Sequence, residues 1–504
     1  MKTSIYVHRS FPIDAIDPNI YGGFLEHIGR CIYTGVYEPT HPKADKDGFR
    51  TDVLELVKEL DTPITRYPGG NFVSGFDWKD AIGPKAKRPQ RPDYAWFAME
   101  PNQFGVDEFM KWCKKADTEA MYTVNLGTNT PKAAQELVEY CNFPRGTSWS
   151  DLRRRNGAAK PYGIKYWCLG NEMDGEWQIG HKTKEEYGRI ALETAKMMKM
   201  VDPNLKLCVC GSSNRHMDTY GDWDYAVLRE AYKYIDFLSI HAYFGNPTHD
   251  IPNFLACIEL LERQIDDAIA LCDAARAARK SPRRLMVALD EWNVWYRGQT
   301  DAAPETKWQA ARPINEETYD MTDVLIIGGI LQSLINHADR VKIANLAQTV
   351  NIIAPIMTEP NGRAWRQTIF HPFALTSRHG RGTALRVRME SPAYDGTGEY
   401  KGPITYLKSA VVHNEQAHEL VVFALNRSLK EEMELTAEFG GFEVDKLLEA
   451  TEIHNDNPDA VNTADKQNVA PAAIPARRRA LKAGRLAATL RPLSWNMFRL
   501  HVKE

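Results

Sequence analysis

The chain has 504 residues, 43% of them hydrophobic and 26% charged, with a formal net charge of -3. That is enough for one large domain and a smaller one, because single cores stop growing near roughly 250 to 300 residues. The balanced charge argues against nucleic-acid or membrane binding by bulk electrostatics, and no apolar run reaches the ~18 residues of a membrane span.

Met1 to Asp14 carries polar and charged residues where a signal peptide needs its apolar stretch, so a cytoplasmic protein is expected. The eight cysteines are scattered, and residues such as Cys113, Cys168 and Cys272 read as reduced, buried thiols. Cys208 and Cys210 lie two apart on one predicted strand, without a second Cys or His pair at ligand spacing, so they are read as structural.

Short apolar runs alternate with helical patterns over the first 350 residues. The predicted strands are Ile20 to His27, Pro63 to Gly69, Ala120 to Gly127, Ile164 to Gly170, Lys206 to Gly211, Phe237 to Tyr243, Leu285 to Asp290 and Val341 to Gln348. The predicted helices are Thr51 to Leu60, Phe104 to Ala116, Pro131 to Tyr140, Thr183 to Val201, Asp224 to Lys233, Phe254 to Ala278 and Glu317 to Asn336. In the fourth, Thr183 and Glu186 form a capping box ahead of apolar residues spaced three and four apart, and Pro203 closes it. Near-continuous apolar strands alternating with helices imply a parallel sheet covered on both faces. Eight of them fit a closed (β/α)8 barrel, and no glycine-rich nucleotide-binding turn supports an open sheet. After about residue 375 the helical period fades. Ala384 to Met389, Tyr406 to Val412, Glu419 to Leu425, Glu432 to Phe439 and Leu486 to Val502 read as strands of a sandwich. The expected units are therefore a barrel over 18–375 and a β-sandwich over 376–504, with residues 1–17 pairing with the sandwich. Ala470 to Gly484 reads as a loop.

A barrel carries its function just after the strands. Those positions hold Glu26 and His27, Arg66 and Asn71, Asn125 and Asn129, Asn171 and Glu172, Ser212 and Asn214, His241 and Tyr243, Glu291, and Asn345 and Gln348. Three long insertions, Trp78 to Trp96, Asn142 to Gly163 and Trp292 to Glu316, are assigned to the same face as walls or lids. Their basic runs, such as Arg153 to Arg155, are read as solvated faces or subunit contacts.

Glu172 after strand four and Glu291 after strand seven stand three strands apart. On a circle of roughly 7.5 Å radius that is a chord of about 14 Å, and inward-leaning side chains leave the carboxyls about 5 Å apart. Retaining glycosidases space theirs about 5 to 5.5 Å apart, inverting ones roughly 6.5 to 9.5 Å. Such chemistry needs one carboxyl protonated and one ionised, and proximity disfavours double ionisation. Glu100, Asp174 and Asp290 are set aside because none ends a predicted strand with an inward phase and a matching motif. His181, His216 and His249 lack ligand spacing, so neither metal nor cofactor is expected.

Gly170-Asn171-Glu172 and Asp290-Glu291-Trp292 resemble the acid/base and nucleophile motifs of retaining clan A glycoside hydrolases. With Tyr21 to His27, Arg66 to Phe72, Asn345 to Gln348 and the Pro492 to Trp495 ending, the chain resembles glycoside hydrolase family 51 α-L-arabinofuranosidases. The resemblance implies Glu172 as acid/base and Glu291 as nucleophile. Glu26, Asn71, Asn171, Tyr243 and Gln348 would hold the furanose, with Asn171 at its 2-OH. Arg66 and His241 would fix the carboxylates. Trp96 and Trp295 would line the pocket or the leaving-group side. An exo-acting enzyme on arabinose-containing oligosaccharides follows, as a homo-oligomer that is often a hexamer in this family. The alternatives are a β-D-galactofuranosidase, an endo-glucanase or xylanase, and a non-catalytic carbohydrate-binding protein.

Overall fold

The computed structural model describes residues 1–296 and 303–503. Eight strands, β1 Gly22–Phe24, β2 Ile64–Tyr67, β3 Glu119–Val124, β4 Tyr166–Leu169, β5 Lys206–Cys210, β6 Phe237–Phe244, β7 Met286–Val294 and β8 Val341–Leu346, follow one another around a closed barrel. Every neighbouring pair is parallel, and β8 returns to β1. Ile64, Met121, Tyr166, Cys168, Cys208, Phe237, Ala288 and Ile343 fill the barrel as a closed apolar layer. β1 contributes no side chain to it: a Cβ on Gly22 would lie 2.4 Å from Asn345 Nδ2, so the strand packs through its backbone.

Helices cover the outside. Lys184–Val201 begins as its sequence dictates, with Thr183 accepting from Glu186 N and Glu186 accepting from Thr183 N. Met321–Asn336 is apolar around nearly its whole circumference, the signature of a helix buried on all sides. It packs between the barrel and the sandwich, where a Cβ on Gly328 would meet the Trp495 ring at 2.3 Å.

Beyond the barrel lie a five-stranded and a seven-stranded sheet around a second apolar core. Lys2–His8 runs parallel to Met433–Gly440 in the first sheet, and Pro12–Ala15 pairs with Thr383–Leu385 in the second. Ala470 to Gly484 is not a plain loop. It carries the short strand Ala472–Ala473 and the strand Arg479–Lys482, which pairs with Arg485–Leu490.

Other expectations shift. The predicted helix Phe254 to Ala278 is two helices, Ile251–Leu255 and Cys257–Ala278, meeting at Ala256. The insertion Asn142 to Gly163 follows a helix and feeds β4, which puts it at the amino ends of the strands, away from the expected face. Asn142 fixes it there, bonding Ile164 N and O as well as Asp202. It contains the helix Ser148–Arg155, and Arg153 is fully buried, donating to the carbonyls of Tyr140, Phe143, Pro144 and Ala158. Arg153 therefore ties the loop together and is not solvated, whereas Arg154 and Arg155 are exposed as the solvated reading expects. The other two insertions follow β2 and β7 at the carboxyl face, although 297–302 of the Trp292 to Glu316 segment lies outside the described residues. Among the described residues no helix is long and apolar enough to cross a membrane.

Candidate active site

Polar side chains gather at the carboxyl ends of the strands, above the apolar layer. β4 ends at Leu169, and the chain turns through Gly170 at φ 86° and Glu172 at φ 43°, a left-handed conformation that costs an acidic residue on the order of 1 kcal/mol or more. The turn aims Glu172 inward. Its Oε1 meets His241 Nδ1 at 2.9 Å, and its Oε2 accepts from Trp177 Nε1 at 2.6 Å.

β7 is longer than expected, so Glu291 lies within the strand. Between the pairs Ser239↔Ala288 and His241↔Glu291, β7 spends one residue more than β6. A bulge of this kind re-aims side chains that would otherwise alternate. It turns both Asp290 and Glu291 toward the barrel axis. Glu291 Oε1 accepts from Arg66 Nη1 at 2.5 Å, and its Oε2 accepts from Tyr243 OH at 2.8 Å. Asp290 accepts from Ser239 Oγ, lies 3.6 Å from His241 Nε2, and forms an ion pair with Arg66 Nε at 3.2 Å.

Arg66 therefore joins three groups, because its Nη2 also donates to Asn171 Oδ1 at 2.7 Å. Burial opposes its charge, but Asp290, with Cys168 and Glu291, holds the pKa well above the ordinary guanidinium value. Burial likewise opposes charge on His241, yet Glu291, Asp290 and Glu172 outweigh it, and its pKa lies well above the ordinary imidazole range. Burial favours the acid form of Asp290, but Arg66, His241 and Ser239 bring its pKa down to about 2. Two buried cations thus face the carboxylates. One ligand atom each from Glu172, His241 and Glu291 lies within 4.8 Å of the other two, close enough for a metal. Both His241 nitrogens, however, are turned to carboxylates, Nδ1 to Glu172 and Nε2 to Asp290.

Across the mouth, Glu26 Oε1 accepts from Phe72 N at 3.0 Å and Trp96 Nε1 at 2.9 Å, while its Oε2 accepts from Gln348 Nε2 at 2.9 Å. Burial pushes this carboxyl up to about 8, the Phe72 amide opposing and the Glu291 charge adding. Gly70, at φ 29°, passes so close that a Cβ there would lie 2.0 Å from Glu26 Oε2. Only glycine fits.

These groups enclose a cavity of about 550 Å³ lined by Glu26, Asn71, Trp96, Glu172, Tyr243, Glu291, Trp295 and Gln348 among others. Tyr243 and Trp295 meet edge to face at 5.5 Å. Asn171, Arg66 and His241 sit beneath this cavity rather than in its wall. Asn171 Nδ2 makes only long bonds, 3.5 Å to Asn71 and 3.4 Å to Gln178. Asn125 closes a turn by accepting from Gly127 N and Thr128 N, and Ser212 donates to Asp224, so neither reaches the cavity.

Two family models match the chain, the α-L-arabinofuranosidase 1 domain over 56–253 and the α-L-arabinofuranosidase C-terminal domain over 290–494. The intracellular exo-α-(1→5)-L-arabinofuranosidase 1 of Bacillus subtilis strain 168 is 47% identical, with 99% of each chain covered. The chain belongs to the glycoside hydrolase family 51 α-L-arabinofuranosidases. Solved structures of the family agree: that of a family 51 α-L-arabinofuranosidase from Bifidobacterium longum is 40% identical with a TM-score of 0.95, covering 99% of both chains. An arabinose complex of the Thermotoga maritima α-L-arabinofuranosidase is 34% identical with a TM-score of 0.88, again over 99% of both.

Sequence reasoning missed several groups in this family 51 site. Asp290 was set aside on strand phase, and the bulge overturns that phase: it acts on the site through Arg66, Ser239 and His241. Its adjacency to Glu291 was the available signal. Trp177, half-exposed, and His216, both in the cavity wall, come from loops after β4 and β5 whose path no periodicity reveals, whereas Asn214, read from the sequence as a strand-exit position, lines the cavity.

Proposed function

We propose that the protein removes terminal α-L-arabinofuranosyl units from arabinose-containing oligosaccharides with retention of configuration. The closeness of Glu172 and Glu291, with one oxygen of each within 4.8 Å of the other, carries this reading, because a retaining site keeps its two carboxyls close while an inverting site holds them wider apart to admit water beside the sugar. In the first step a Glu291 oxygen bonds to the anomeric carbon. The bond to the leaving oxygen breaks as Glu172 gives up its proton to it. Water then attacks the same carbon, returns a proton to Glu172 and frees Glu291, so two inversions amount to retention.

Arg66 and Tyr243 direct the two Glu291 oxygens, and His241 stands between the carboxyls. Glu26, Asn71, Gln348 and Trp96 form the furanose end of the cavity, Asn171 supports it from beneath through Arg66 and Asn71 rather than reaching the 2-OH itself, and Trp295 walls the side beside Tyr243. A pocket that hydrogen-bonds several hydroxyls rejects analogues that leave its buried groups unpaired. No observation favours the galactofuranosidase, endo-glucanase or xylanase alternatives. The intracellular names of the relatives support a cytoplasmic setting. A homo-oligomer, hexameric by family resemblance, and catalytic and sandwich units at 18–375 and 376–504 complete the reading.

The decisive experiment is a panel of aryl glycosides, furanose and pyranose, with NMR of the first-formed anomer. Turnover restricted to α-L-arabinofuranosides with retention is expected, together with loss of turnover in Glu291→Ala and azide rescue of Glu172→Ala as an arabinosyl azide. Inversion, or near-normal activity of Glu291→Ala, refutes the mechanism.

A further inference from the structure

Glu26, Asn71, Trp96 and Gln348, the groups that form the furanose end, lie after β1, β2 and β8, whereas Glu172 follows β4. The leaving oxygen must come within hydrogen-bond reach of Glu172. The rest of the leaving group is thereby directed toward the loops after β4, β5 and β6. On that side a second cavity of about 330 Å³ adjoins the first and shares Asn214, His216 and Tyr243 with it. Its volume falls within the roughly 300 to 1,000 Å³ of small-molecule sites.

Part of its wall comes from outside the barrel. Strands Ala393–Thr397 and Lys401–Thr405 form a hairpin that leaves the sandwich sheets and reaches back to the β6 side. It is docked by several bonds. Asn253 Oδ1 accepts from Thr397 N and Gly398 N, both at 2.9 Å, Asn253 Nδ2 donates to Thr397 Oγ1 at 2.9 Å, and Tyr394 OH donates to Pro252 O at 2.9 Å. Arg263 lies over the Tyr400 ring, 4.3 Å from its centroid. At the hairpin tip Glu399 pairs with Arg215 at 2.6 Å and stands 3.6 Å from His216 Nε2. Glu399 and Tyr400 line the second cavity, and His216 lines both.

We propose that Glu399 is a specificity-determining positioning residue: it holds Arg215 and His216 so that the second cavity receives the sugar units on the leaving-group side of the cleaved bond. This rests on the arabinofuranosidase reading for the direction of the leaving group. It gives the C-terminal sheets a part in choosing oligosaccharides. A small aryl leaving group does not extend that far, whereas the second and third units of an oligosaccharide do.

The test compares kcat/KM on an α-linked arabinotriose with that on an aryl α-L-arabinofuranoside, for the wild type, Glu399→Gln and Glu399→Asp. In Glu399→Gln the ratio of trisaccharide to aryl substrate should fall about fivefold, the scale of one partly exposed ion pair. The loss should fall on KM, and Glu399→Asp should recover part of it. An unchanged ratio, or an equal fall on both substrates, overturns the proposal. If Glu399→Gln does not fold, Glu399→Asp and His216→Gln are read by the same ratio. If the wild type leaves α-L-arabinofuranosides uncut, the proposed function fails. The ratio is then taken on the aryl and oligosaccharide pair that it does cleave, which decides the role of Glu399 separately.

Discussion

Asp290 touches no substrate in the proposed mechanism, yet replacing it with Asn should damage both fold and activity. Its carboxylate is fully buried between Arg66, Ser239 and His241. Burial alone would raise its pKa, but Arg66 and His241 lower it from 3.8 to about 2. At about 1.4 kcal/mol per pH unit, that difference is worth about 2 kcal/mol of stability. Because the folded pKa is the lower one, this stability is present above pH 3.8 and is lost as the pH falls through 2. Asp290→Asn should therefore be less stable than the wild type by about 2 kcal/mol at pH 7, with the gap flat down to pH 5. Urea unfolding followed by tryptophan fluorescence reads it. Arg66 also loses one of the carboxylates that fix its approach to Glu291, and a nucleophile displaced by about 1 Å costs on the order of a hundredfold in kcat. A variant as stable as the wild type at pH 7, or a gap that widens toward pH 5, would refute the reasoning.

Glu26 titrates in the opposite sense. With its pKa raised from 4.5 to about 8, its neutral form contributes stability below pH 4.5 that is lost as the pH rises through 8. The melting temperature of Glu26→Gln should therefore fall less than that of the wild type between pH 6 and pH 9, and parallel curves would contradict the shift. Gly70→Ala should cost about 1 to 3 kcal/mol of stability and at least tenfold in kcat/KM, since its Cβ would displace the Glu26 carboxylate from 2.0 Å away at a positive φ. Near-normal kinetics in that variant would show that Glu26 need not sit where it does.

The barrel was legible because a buried parallel strand must be apolar along its length, and eight such runs separated by helical periods leave few ways to close a sheet. The capping box at Thr183 and the buried helix Met321–Asn336 were equally local. Glu172 and Glu291 stood out because each ends an apolar run with a charge, and a barrel turns strand number into distance. The bulge in β7 did not stand out. It arises from the register between β6 and β7 and between β7 and β8, so Asp290 could not be assigned an inward side chain from alternation alone.

The amino-acid sequence by itself determined the eight barrel strands and most of the helices that cover them, and which two glutamates share the carboxyl face, because burial and periodicity are written residue by residue. Only the tertiary structure decided that the Asn142 to Gly163 insertion lies at the far end of the barrel. It alone joined Arg66 and His241 to three carboxylates and brought Glu399 from the sandwich to the side of His216. These are contacts between residues up to 225 positions apart, set by how the sheets and helices pack and carried by no local pattern.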